Sequence, residues 1–291
     1  MRCFLCNKSN FEEKYHLPGK KILCCKNDGV FLAQETKKEQ SYGSSYFSNS
    51  PNLSSQSYYF SKLATLRLVT RKEFPTILDV GCGWGDFLEV LEKEKNPYLG
   101  IDINKEAIDI CQKKELNCQQ IDIKTLEKEV SKEKNTNFLT SKPNWYRNPN
   151  PNTLFDAITL FQVIEHLKNP IPVLQSAKKL LKKDGVLLIT TPNNNSPLRR
   201  LLGAKWSVYN EPSHYVFYDK NTLHKVLGSA GFKKIQVRTD PSRFLSLRYI
   251  LSRLNIRGKN ILHLTSHVPV PTDPFGDLEL LSHRLYIPDG L

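Results

Sequence analysis

Three glycines follow a short apolar run between residues 77 and 87, and this stretch constrains the fold more than any other. Ile77 to Val80 is typical of a buried strand, and Gly81, Gly83 and Gly85 are spaced by two before apolar residues resume at helical spacing. Glycine adopts a positive φ readily and lets the backbone approach a ligand closely. The N–H groups that begin the following helix favour an anionic or carboxylate-bearing ligand. The stretch therefore predicts strand, tight turn and helix, with a nucleotide-like ligand at the turn.

The position of the third glycine separates two classes of nucleotide-binding turn. The dinucleotide fingerprint places glycines first, third and sixth, whereas here the fifth position is Gly85 and the sixth is Asp86. Asp79, inside the strand, is also foreign to that fingerprint. The stretch resembles motif I of class I S-adenosylmethionine-dependent methyltransferases. The resemblance implies S-adenosylmethionine as cofactor, with N–H groups around Gly81 and Gly83 on its methionine carboxylate and contacts from Asp79, Gly81, Cys82, Gly83 and Gly85.

A second carboxylate lies where nucleotide-binding folds hold a ribose. Tyr98 to Ile103 is typical of a second strand, and Asp102 lies 21 positions after Gly81. This agreement argues against the alternative in which the glycine turn is only a tight connection. In methyltransferases of this type an acidic residue ending the third strand often contacts the adenine amino group, and Gln120 to Ile123 resembles that element. The resemblance adds Asp102, Ile103, Asp122 and Ile123 to the cofactor site.

Length and composition set the broad class of protein. With 291 residues, 39% hydrophobic and 24% charged, the chain can hold one Rossmann-like domain and a small appendage. No apolar run approaches the ~20 residues of a membrane span, and the first residues lack the apolar region of a signal peptide. We therefore expect a cytoplasmic protein. The seven cysteines, clustered near the amino terminus and otherwise scattered, are typical of reduced thiols or metal ligands and not of a secreted disulfide framework.

The net charge of +13 raises the question of a polyanionic partner. Positive fields attract nucleic acids and anionic membrane surfaces. Lysine dominates this charge, however, and it is spread along the chain without any block of five or more basic residues. A solvated, lysine-rich surface is therefore the favoured interpretation. Nucleic acid is a less favoured partner, and peripheral membrane contact stays open.

Cysteines and one aspartate near the amino terminus have the spacing of a metal-binding segment. Cys3 and Cys6 are separated by two residues, and Asp28 stands three positions after Cys25. The segment resembles the rubredoxin-like zinc knuckles that precede many bacterial methyltransferase domains, in which four cysteines hold zinc tetrahedrally. Asp28 stands where the resemblance places the fourth cysteine, so zinc needs Asp28 as an oxygen ligand or Cys24 in an altered geometry. The resemblance implies structural zinc at Cys3, Cys6, Cys25 and Asp28, and a degenerate, metal-free knuckle is the alternative.

The order of apolar segments predicts the fold class. Strand-like and helix-like segments alternate from residue 77 to residue 237, which is typical of an α/β protein. The predicted fold is a Rossmann-like, seven-stranded, mostly parallel sheet with helices on both faces, plus a small N-terminal knuckle. We expect a knuckle-like segment at 1–40 and a methyltransferase domain at 41–291. Within that domain we expect an exposed insertion at 124–153 and a variable segment at 241–275 before an antiparallel last strand.

Two further residues enter the cofactor site by resemblance alone. Tyr46 lies in a linker, 35–57, that is rich in Ser, Gln and Asn. In related methyltransferases an aromatic pair at this place often folds over the cofactor, and a linker tyrosine is the alternative. Leu66-Arg67-Leu68 resembles the segment from which ubiquinone-type O-methyltransferases direct an arginine toward the cofactor.

Two histidines are candidates for handling the methyl acceptor. Methyl transfer is an in-line displacement, so the enzyme aligns donor with acceptor and often removes a proton from the acceptor. His166 follows the fourth strand at the carboxyl edge of the sheet, and His214 precedes the helix that leads to the sixth strand. We favour His214 as the base or orienting residue, with Glu165 and His166 as further catalytic candidates, although packing alone is the alternative for His166. Phe161 and Gln162, at the same edge, are expected in the wall of the cofactor pocket.

The run from Thr191 to Phe232 resembles a large bacterial methyltransferase family related to the ubiquinone O-methyltransferases. Some relatives, including small-RNA end methyltransferases, hold a divalent metal with Glu-x-x-Glu-His and a later histidine. Here the first glutamate is Gln162, a poorer ligand for a hard cation, so metal-free catalysis is favoured. The resemblance implies O-methylation of a small-molecule, lipid or glycan acceptor. RNA 2′-O-methylation and a non-catalytic cofactor-binding scaffold are the alternatives, and the oligomeric state stays open.

Overall fold

The computed structural model describes residues 1–36, 53–132, 154–240, 244–246, 269–271 and 277–283. Its strands are β1 (Phe11–Leu17), β2 (Lys20–Cys25), β3 (Phe31–Glu35), β4 (Ile77–Val80), β5 (Tyr98–Asp102), β6 (Cys118–Gln120), β7 (Phe155–Phe161), β8 (Leu181–Thr191), β9 (Val216–Phe217), β10 (Lys233–Thr239), β11 (Phe244–Ser246), β12 (Pro269–Pro271) and β13 (Leu278–His283). Its helices are α1 (Leu53–Thr70), α2 (Asp86–Lys93), α3 (Lys105–Lys113), α4 (Ile123–Lys132), α5 (Ile171–Leu180), α6 (Pro197–Leu202), α7 (Ser207–Asn210) and α8 (Lys220–Ser229). Short 3-10 turns follow β7 and α6, at Ile164–His166 and Gly203–Lys205. In these ranges no helix combines the length and the apolar character needed to cross a bilayer.

A seven-stranded sheet in the order β10-β13-β8-β7-β4-β5-β6 forms the centre of the molecule. The neighbouring strands from β8 to β6 in this order all pair in parallel. β13 runs antiparallel to both of its neighbours, β8 and β10. β4 and β7 are adjacent although β5 and β6 lie between them in the chain, so the strand order reverses there. Ligands of such sheets bind outside the carboxyl ends of the strands at this reversal. The predicted fold class and the antiparallel last strand are confirmed.

Local sequence signals account for the helices beside the glycine turn. Helix α2 buries an apolar face of four residues, as its helical spacing predicts. Asn104 caps α3, because its side chain accepts hydrogen bonds from the N–H groups of Glu106 at 2.8 Å and Ala107 at 3.4 Å. These two helices therefore begin at the carboxyl edge of the sheet, next to the expected ligand site.

Helix α4 occupies the start of the predicted insertion. Asp122 accepts hydrogen bonds from the N–H groups of Lys124 and Thr125, and Leu126 is buried. A capped helix that buries an apolar residue is part of the folded domain. Residues 133–153 lie outside the described residues, and the exposed insertion at 124–153 stays a prediction. The predicted segment 241–275 is described only at β11 and β12, which pair antiparallel, and the boundary at 40/41 stays a prediction.

The amino-terminal strands β1, β2 and β3 form an antiparallel sheet that β9 extends. β3 pairs with β9 at Phe31 with Phe217 and at Leu32 with Val216. A small apolar core lies on this sheet, and its buried members are Leu17, Ile22, Trp206, Tyr209 and Phe217. The amino-terminal segment thus shares both a sheet and a core with the segment 206–217, which belongs to the predicted methyltransferase domain.

A buried ion network joins α1 to the last strands of the large sheet. The Lys62 side chain is 1% exposed, and its Nζ donates to Asp240 Oδ1 at 2.6 Å and to the carboxylate of Glu279. Arg238 Nε donates to Glu279 Oε1 at 2.8 Å. Removing one partner of a buried ion pair typically costs about 3–5 kcal/mol. The network therefore fixes α1 against β10 and β13.

Candidate active site

The glycine turn joins β4 to α2 at the carboxyl edge of the sheet. Gly81, Gly83 and Gly85 have φ values of 75°, 52° and 83°, a region that other residues adopt only with strain. The N–H groups of Gly81 and Cys82 donate to one carbonyl oxygen of β5, at 2.8 and 3.1 Å. The N–H of Gly83 donates to Asp102 Oδ2 at 3.0 Å. These three donors are engaged within the protein, and the prediction that N–H groups around Gly81 and Gly83 hold the methionine carboxylate stays a prediction.

The three glycines differ in what surrounds them. A Cβ atom at Gly81 would lie 2.5 Å from Val163 Cγ2, and one at Gly85 would lie 2.6 Å from Leu116 Cδ1. At Gly83 no heavy atom of the described chain would lie within 4 Å of a Cβ atom. Gly81 and Gly85 therefore close the turn against the protein, whereas Gly83 leaves an open face. This open face beside a carboxylate fits a nucleotide-like cofactor.

Gly83→Ala is expected to keep the fold and to weaken cofactor binding. Positive φ costs a non-glycine residue roughly 1–2 kcal/mol, and the new methyl group fills the open face. We expect the affinity for S-adenosylhomocysteine, measured by calorimetry, to fall by about tenfold or more. Gly81→Ala adds a clash with Val163 to the same strain, so it should lower the free energy of unfolding in urea by more than Gly83→Ala. Equal effects of the two substitutions on both quantities would contradict this division of roles.

Asp102 and Ile103 end β5 beside the turn. Asp102 Oδ2 accepts the Gly83 N–H at 3.0 Å and Oδ1 accepts the Asn104 N–H at 2.8 Å. These bonds orient a half-buried carboxylate whose oxygens have further lone pairs for a ligand. Ile103 is 75% exposed, so an apolar surface lies directly next to the carboxylate. The pair suits a ribose that carries an apolar, planar base.

Asp79 is buried in β4, two residues before the turn. Thr159 Oγ1, on the neighbouring β7, donates to Asp79 Oδ1 at 2.6 Å. Burial raises the pKa of Asp79 to about 7, against the smaller, opposite effect of the Thr159 hydrogen bond. The predicted contact of Asp79 with the cofactor stays a prediction.

The raised pKa of Asp79 is expected to make the stability of the protein depend on pH. The folded state holds this proton more tightly than the unfolded chain, whose aspartate has a pKa of 3.8. The free energy of unfolding therefore falls as the pH rises from about 4 to about 7. Asp79→Asn keeps the shape without the charge and should remove this part of the slope. Urea denaturation across this pH range measures it, and parallel slopes in the two proteins would contradict the assignment.

Asp122 and Ile123 lie at the start of α4. Asp122 Oδ1 accepts the backbone N–H groups described above, and Oδ2 accepts the Thr125 hydroxyl at 2.6 Å. This hydroxyl is the main cause that lowers the pKa of Asp122. Ile123 is 3% exposed. Because the Asp122 oxygens already cap a helix and Ile123 is buried, their contact with adenine stays a prediction.

An aromatic cluster covers the carboxyl end of β7. The ring centroid of Phe161 lies 5.1 Å from that of Phe87 and 5.7 Å from that of Tyr59. Tyr58 contacts Phe161 at 6.4 Å, and its hydroxyl donates to Thr190 Oγ1 at 3.3 Å. Phe161 is predicted from the sequence, whereas Tyr58 and Tyr59 are not. The available signal was the run of three aromatic residues, Tyr58 to Phe60, on the helix that precedes motif I.

Gln162 links β7 to the start of β13. Its φ is 57°, which is uncommon for a residue other than glycine. Its N–H donates to Thr190 O at 2.9 Å, and its Nε2 donates to Asp277 Oδ2 at 2.9 Å. Strained backbone positions of this kind concentrate at functional sites. The contact of Gln162 with the cofactor stays a prediction.

Two other residues predicted to bind the cofactor have different outcomes. Arg67 Nη1 donates to Glu94 Oε2 at 3.0 Å, and Nη2 donates to Asn96 Oδ1 at 2.8 Å. Both partners directly precede β5, at the amino edge of the sheet, opposite the glycine turn. The prediction for Arg67 is therefore wrong, because α1 crosses the sheet from the carboxyl edge to the amino edge before it reaches this residue. Tyr46 lies outside the described residues.

Glu165, His166 and His214, here named the histidine cluster, meet directly after β7. One potential ligand atom of each residue lies within 4.8 Å of the others. His166 Nδ1 is 3.1 Å from Ser213 O, and His214 Nδ1 is 3.0 Å from Val208 O. Because a carbonyl oxygen only accepts, each Nδ1 carries the proton and each Nε2 keeps a lone pair. The structure thus brings the three predicted catalytic residues together.

Burial sets the protonation state of this cluster. The two imidazole centroids are 4.7 Å apart. Burial lowers the pKa of His166, and burial, followed by repulsion from His166, lowers the pKa of His214 to about 3. Glu165 is 1% exposed, and its Oε2 accepts the Thr191 hydroxyl at 3.0 Å. The site therefore offers two neutral imidazoles and a buried carboxylate, groups that take up a proton or coordinate a divalent cation.

The residues predicted to bind zinc also meet in space. Cys3, Cys6, Cys25 and Asp28, here named the thiol cluster, have ligand atoms within 4.8 Å of one another. All seven cysteines lie in the described ranges and are free thiols. Zinc at the thiol cluster stays a prediction.

Sequence comparisons agree with this geometry. A family model described as a methyltransferase domain matches residues 55–237. The ubiquinone biosynthesis O-methyltransferase of Actinobacillus pleuropneumoniae serotype 5b is 33% identical over 118 residues, which are 40% of this chain and 45% of that protein. The enzyme of the same name from Aliivibrio fischeri is 26% identical over 195 residues, 65% of this chain and 76% of that protein. The chain spans about half the length of several of the curated relatives it matches.

Solved structures share the fold. A SAM dependent methyltransferase from Archaeoglobus fulgidus superposes with a TM-score of 0.51 at 20% identity, covering 78% of this chain and 94% of that chain. The plantazolicin methyltransferase BamL, solved with a triazolic desmethylPZN analog and SAH, has a TM-score of 0.53 at 16% identity, with coverage of 80% and 86%. At such identities the likeness shows the fold alone. The family model, in contrast, spans more than half of the chain, and this protein belongs to the methyltransferase-domain family of class I S-adenosylmethionine-dependent methyltransferases.

Proposed function

We propose that this protein transfers the methyl group of S-adenosylmethionine to a hydroxyl oxygen of a small-molecule, lipid or glycan acceptor. The observation that carries the proposal is the placement of the open face at Gly83 and the histidine cluster on one edge of the sheet. Val163, which lies between β7 and the histidine cluster in sequence, packs against Gly81 of the turn, so the two sites share a wall. Relatives named ubiquinone biosynthesis O-methyltransferase support an oxygen acceptor.

Gly83, Asp102 and Ile103 would hold the cofactor, which supplies a methyl group on a positively charged sulfur when bound. The aromatic cluster at the end of β7 contributes ring faces beside this place. Aromatic faces attract cations, and a closely packed aromatic wall excludes water from the reacting atoms. These residues would therefore orient the methyl donor and exclude water from it.

The histidine cluster would act on the acceptor. His214 Nε2 has the lone pair needed to accept the hydroxyl proton, and the Val208 carbonyl fixes the ring that carries it. A pKa of about 3 makes an isolated imidazole a weak base. The buried carboxylate of Glu165 lies close enough to stabilise the imidazolium once it forms. His166, whose ring centroid lies 4.7 Å from that of His214, would help to orient the acceptor.

Transfer of a labelled methyl group tests the proposal. The purified protein is incubated with labelled cofactor and with separate pools of hydroxylated small molecules, lipids, glycans and RNA. We expect label on a hydroxyl in one of the first three pools. Label in RNA would support the 2′-O-methyltransferase instead, and cofactor binding without label in any pool would support a non-catalytic scaffold. Both of these results would contradict the proposal.

A divalent cation is the second candidate for how the acceptor hydroxyl is activated. The favouring observation is the histidine cluster itself, in which both Nδ1 atoms are held by backbone carbonyls while a carboxylate completes the set. Turnover after dialysis against a chelator separates the candidates, because a base mechanism keeps its rate and a metal mechanism loses it. The dialysis is done on Asp28→Cys, in which four thiolates would keep any metal of the thiol cluster in place while a cation at the histidine cluster is removed.

A further inference from the structure

The two loops of the thiol cluster have the same backbone geometry. In the loop 3–8 and in the loop 25–30, the N–H of the fifth residue donates to the carbonyl of the first at 2.8 Å. In both loops the N–H of the first residue donates to the carbonyl of the sixth at 2.9 Å. The fifth residue has a positive φ in each, 60° in the first loop and 80° in the second. Cys6 and Asp28 are therefore structurally equivalent, each three residues after the first ligand of its loop.

The ligand atoms have the separations of a tetrahedral zinc site. Cys6 Sγ lies 3.7 Å from Cys25 Sγ, and Asp28 Oδ2 lies 3.4 Å from Cys3 Sγ and 3.6 Å from Cys25 Sγ. Around tetrahedral zinc with its usual bond lengths, two sulfurs are about 3.8 Å apart, and a sulfur and an oxygen are about 3.5 Å apart. We propose that the thiol cluster binds one zinc ion, with Asp28 as fourth ligand, and that this ion fastens the segment 206–217 that carries His214.

The second loop leads directly into the strand that supports this segment. β3 begins one residue after the loop 25–30 and pairs with β9. Lys20 Nζ, on β2, donates to Glu211 O at 2.5 Å, and the Ala33 N–H, on β3, donates to Tyr215 O at 2.8 Å. These bonds hold the backbone on both sides of His214. An ion that locks the two loops together therefore also holds the position of His214.

Loss of the ion has a localised consequence. Without it, three thiols and a carboxylate face one another, and strand pairing, apolar contacts and weak thiol hydrogen bonds retain the first loop. The glycine turn follows β4 and is hydrogen-bonded to β5, and both strands lie in the seven-stranded sheet. Loss of zinc should therefore change the position of His214 in the histidine cluster and leave cofactor binding unchanged. The link to turnover rests on the function proposed for His214, whereas ion binding does not.

Metal analysis of protein purified without oxygen tests the site. We expect about one zinc per chain in the native protein and in Cys24→Ser, whose side chain lies outside the thiol cluster, and at least about tenfold less in Cys25→Ser. Asp28→Cys should retain zinc against a competing chelator at least about tenfold better than the native protein, because thiolate is the softer ligand. Native protein that stays free of zinc after incubation with zinc salt, or Cys25→Ser that keeps its zinc, would overturn the site.

Hydrogen exchange tests the link to His214. Removing zinc from the native protein with a chelator should speed amide exchange at 206–217, while the affinity for S-adenosylhomocysteine stays within about twofold. Unchanged exchange at 206–217, or equally faster exchange at 77–87, would overturn the fastening role. A zinc-loaded protein with slow exchange at 206–217 but no methyl transfer would count against the proposed function and leave this inference standing.

Discussion

Asp102→Ala should weaken the binding of S-adenosylhomocysteine, the demethylated cofactor, by about a hundredfold or more. The substitution removes a carboxylate that orients the turn at Gly83 and faces the predicted ribose site. Hydrogen bonds to charged groups contribute roughly 1.5–3 kcal/mol each, and about 1.4 kcal/mol corresponds to a tenfold change in affinity. Isothermal titration calorimetry measures the effect directly.

Asp109→Ala is the matched control for this experiment. Asp109, on α3, has a side chain that is 45% exposed and that pairs with Lys105 Nζ at 2.6 Å. Asp102→Asn separates charge from shape, because its amide oxygen can still accept the Gly83 N–H. Native affinity in Asp102→Ala, with the circular dichroism spectrum unchanged, would show that β5 does not hold the cofactor.

His214→Ala should lower turnover by about a hundredfold or more, the usual contribution of a general base. Its affinity for S-adenosylhomocysteine should stay native, since the histidine cluster lies beside the cofactor turn and not in it. The measurement is the rate of methyl transfer with cofactor and acceptor both saturating.

His224→Ala supplies the comparison for the effect of removing an imidazole. His224 is exposed on α8, so its loss should leave turnover and stability unchanged. If His214→Ala and His224→Ala turn over equally fast, His214 has no part in the chemistry. If His214→Ala loses both turnover and native circular dichroism, His214→Gln, which keeps a polar side chain, separates folding from catalysis.

The features predicted correctly from sequence are those set by residues close together in the chain. The spacing of Gly81, Gly83 and Gly85 forces a turn whatever surrounds it, because it depends on backbone freedom. Asn104 caps its own helix, and alternating apolar segments build a parallel sheet. The histidine cluster was also accessible, since the carboxyl ends of neighbouring strands share one edge.

The features that sequence reasoning missed depend on distant partners. Arg67 is placed by Glu94 and Asn96, and its direction follows from the length of α1 and not from any local pattern. The N–H groups of Gly81, Cys82 and Gly83 donate to β5, which becomes apparent only when β4 and β5 pair. The pairing of β9 with the amino-terminal strand β3 is likewise invisible along the chain, because the paired residues lie far apart in sequence.

Lys62 has a consequence for how the protein is made. Its two carboxylate partners, Asp240 and Glu279, are synthesised long after α1 has left the ribosome. A nascent chain that docked α1 early would bury an ammonium group alone, at a cost of roughly several kcal/mol. Helix α1, and with it the tyrosines that cover the end of β7, should therefore dock only when β13 has emerged. The pocket is therefore completed only after Glu279 has been synthesised.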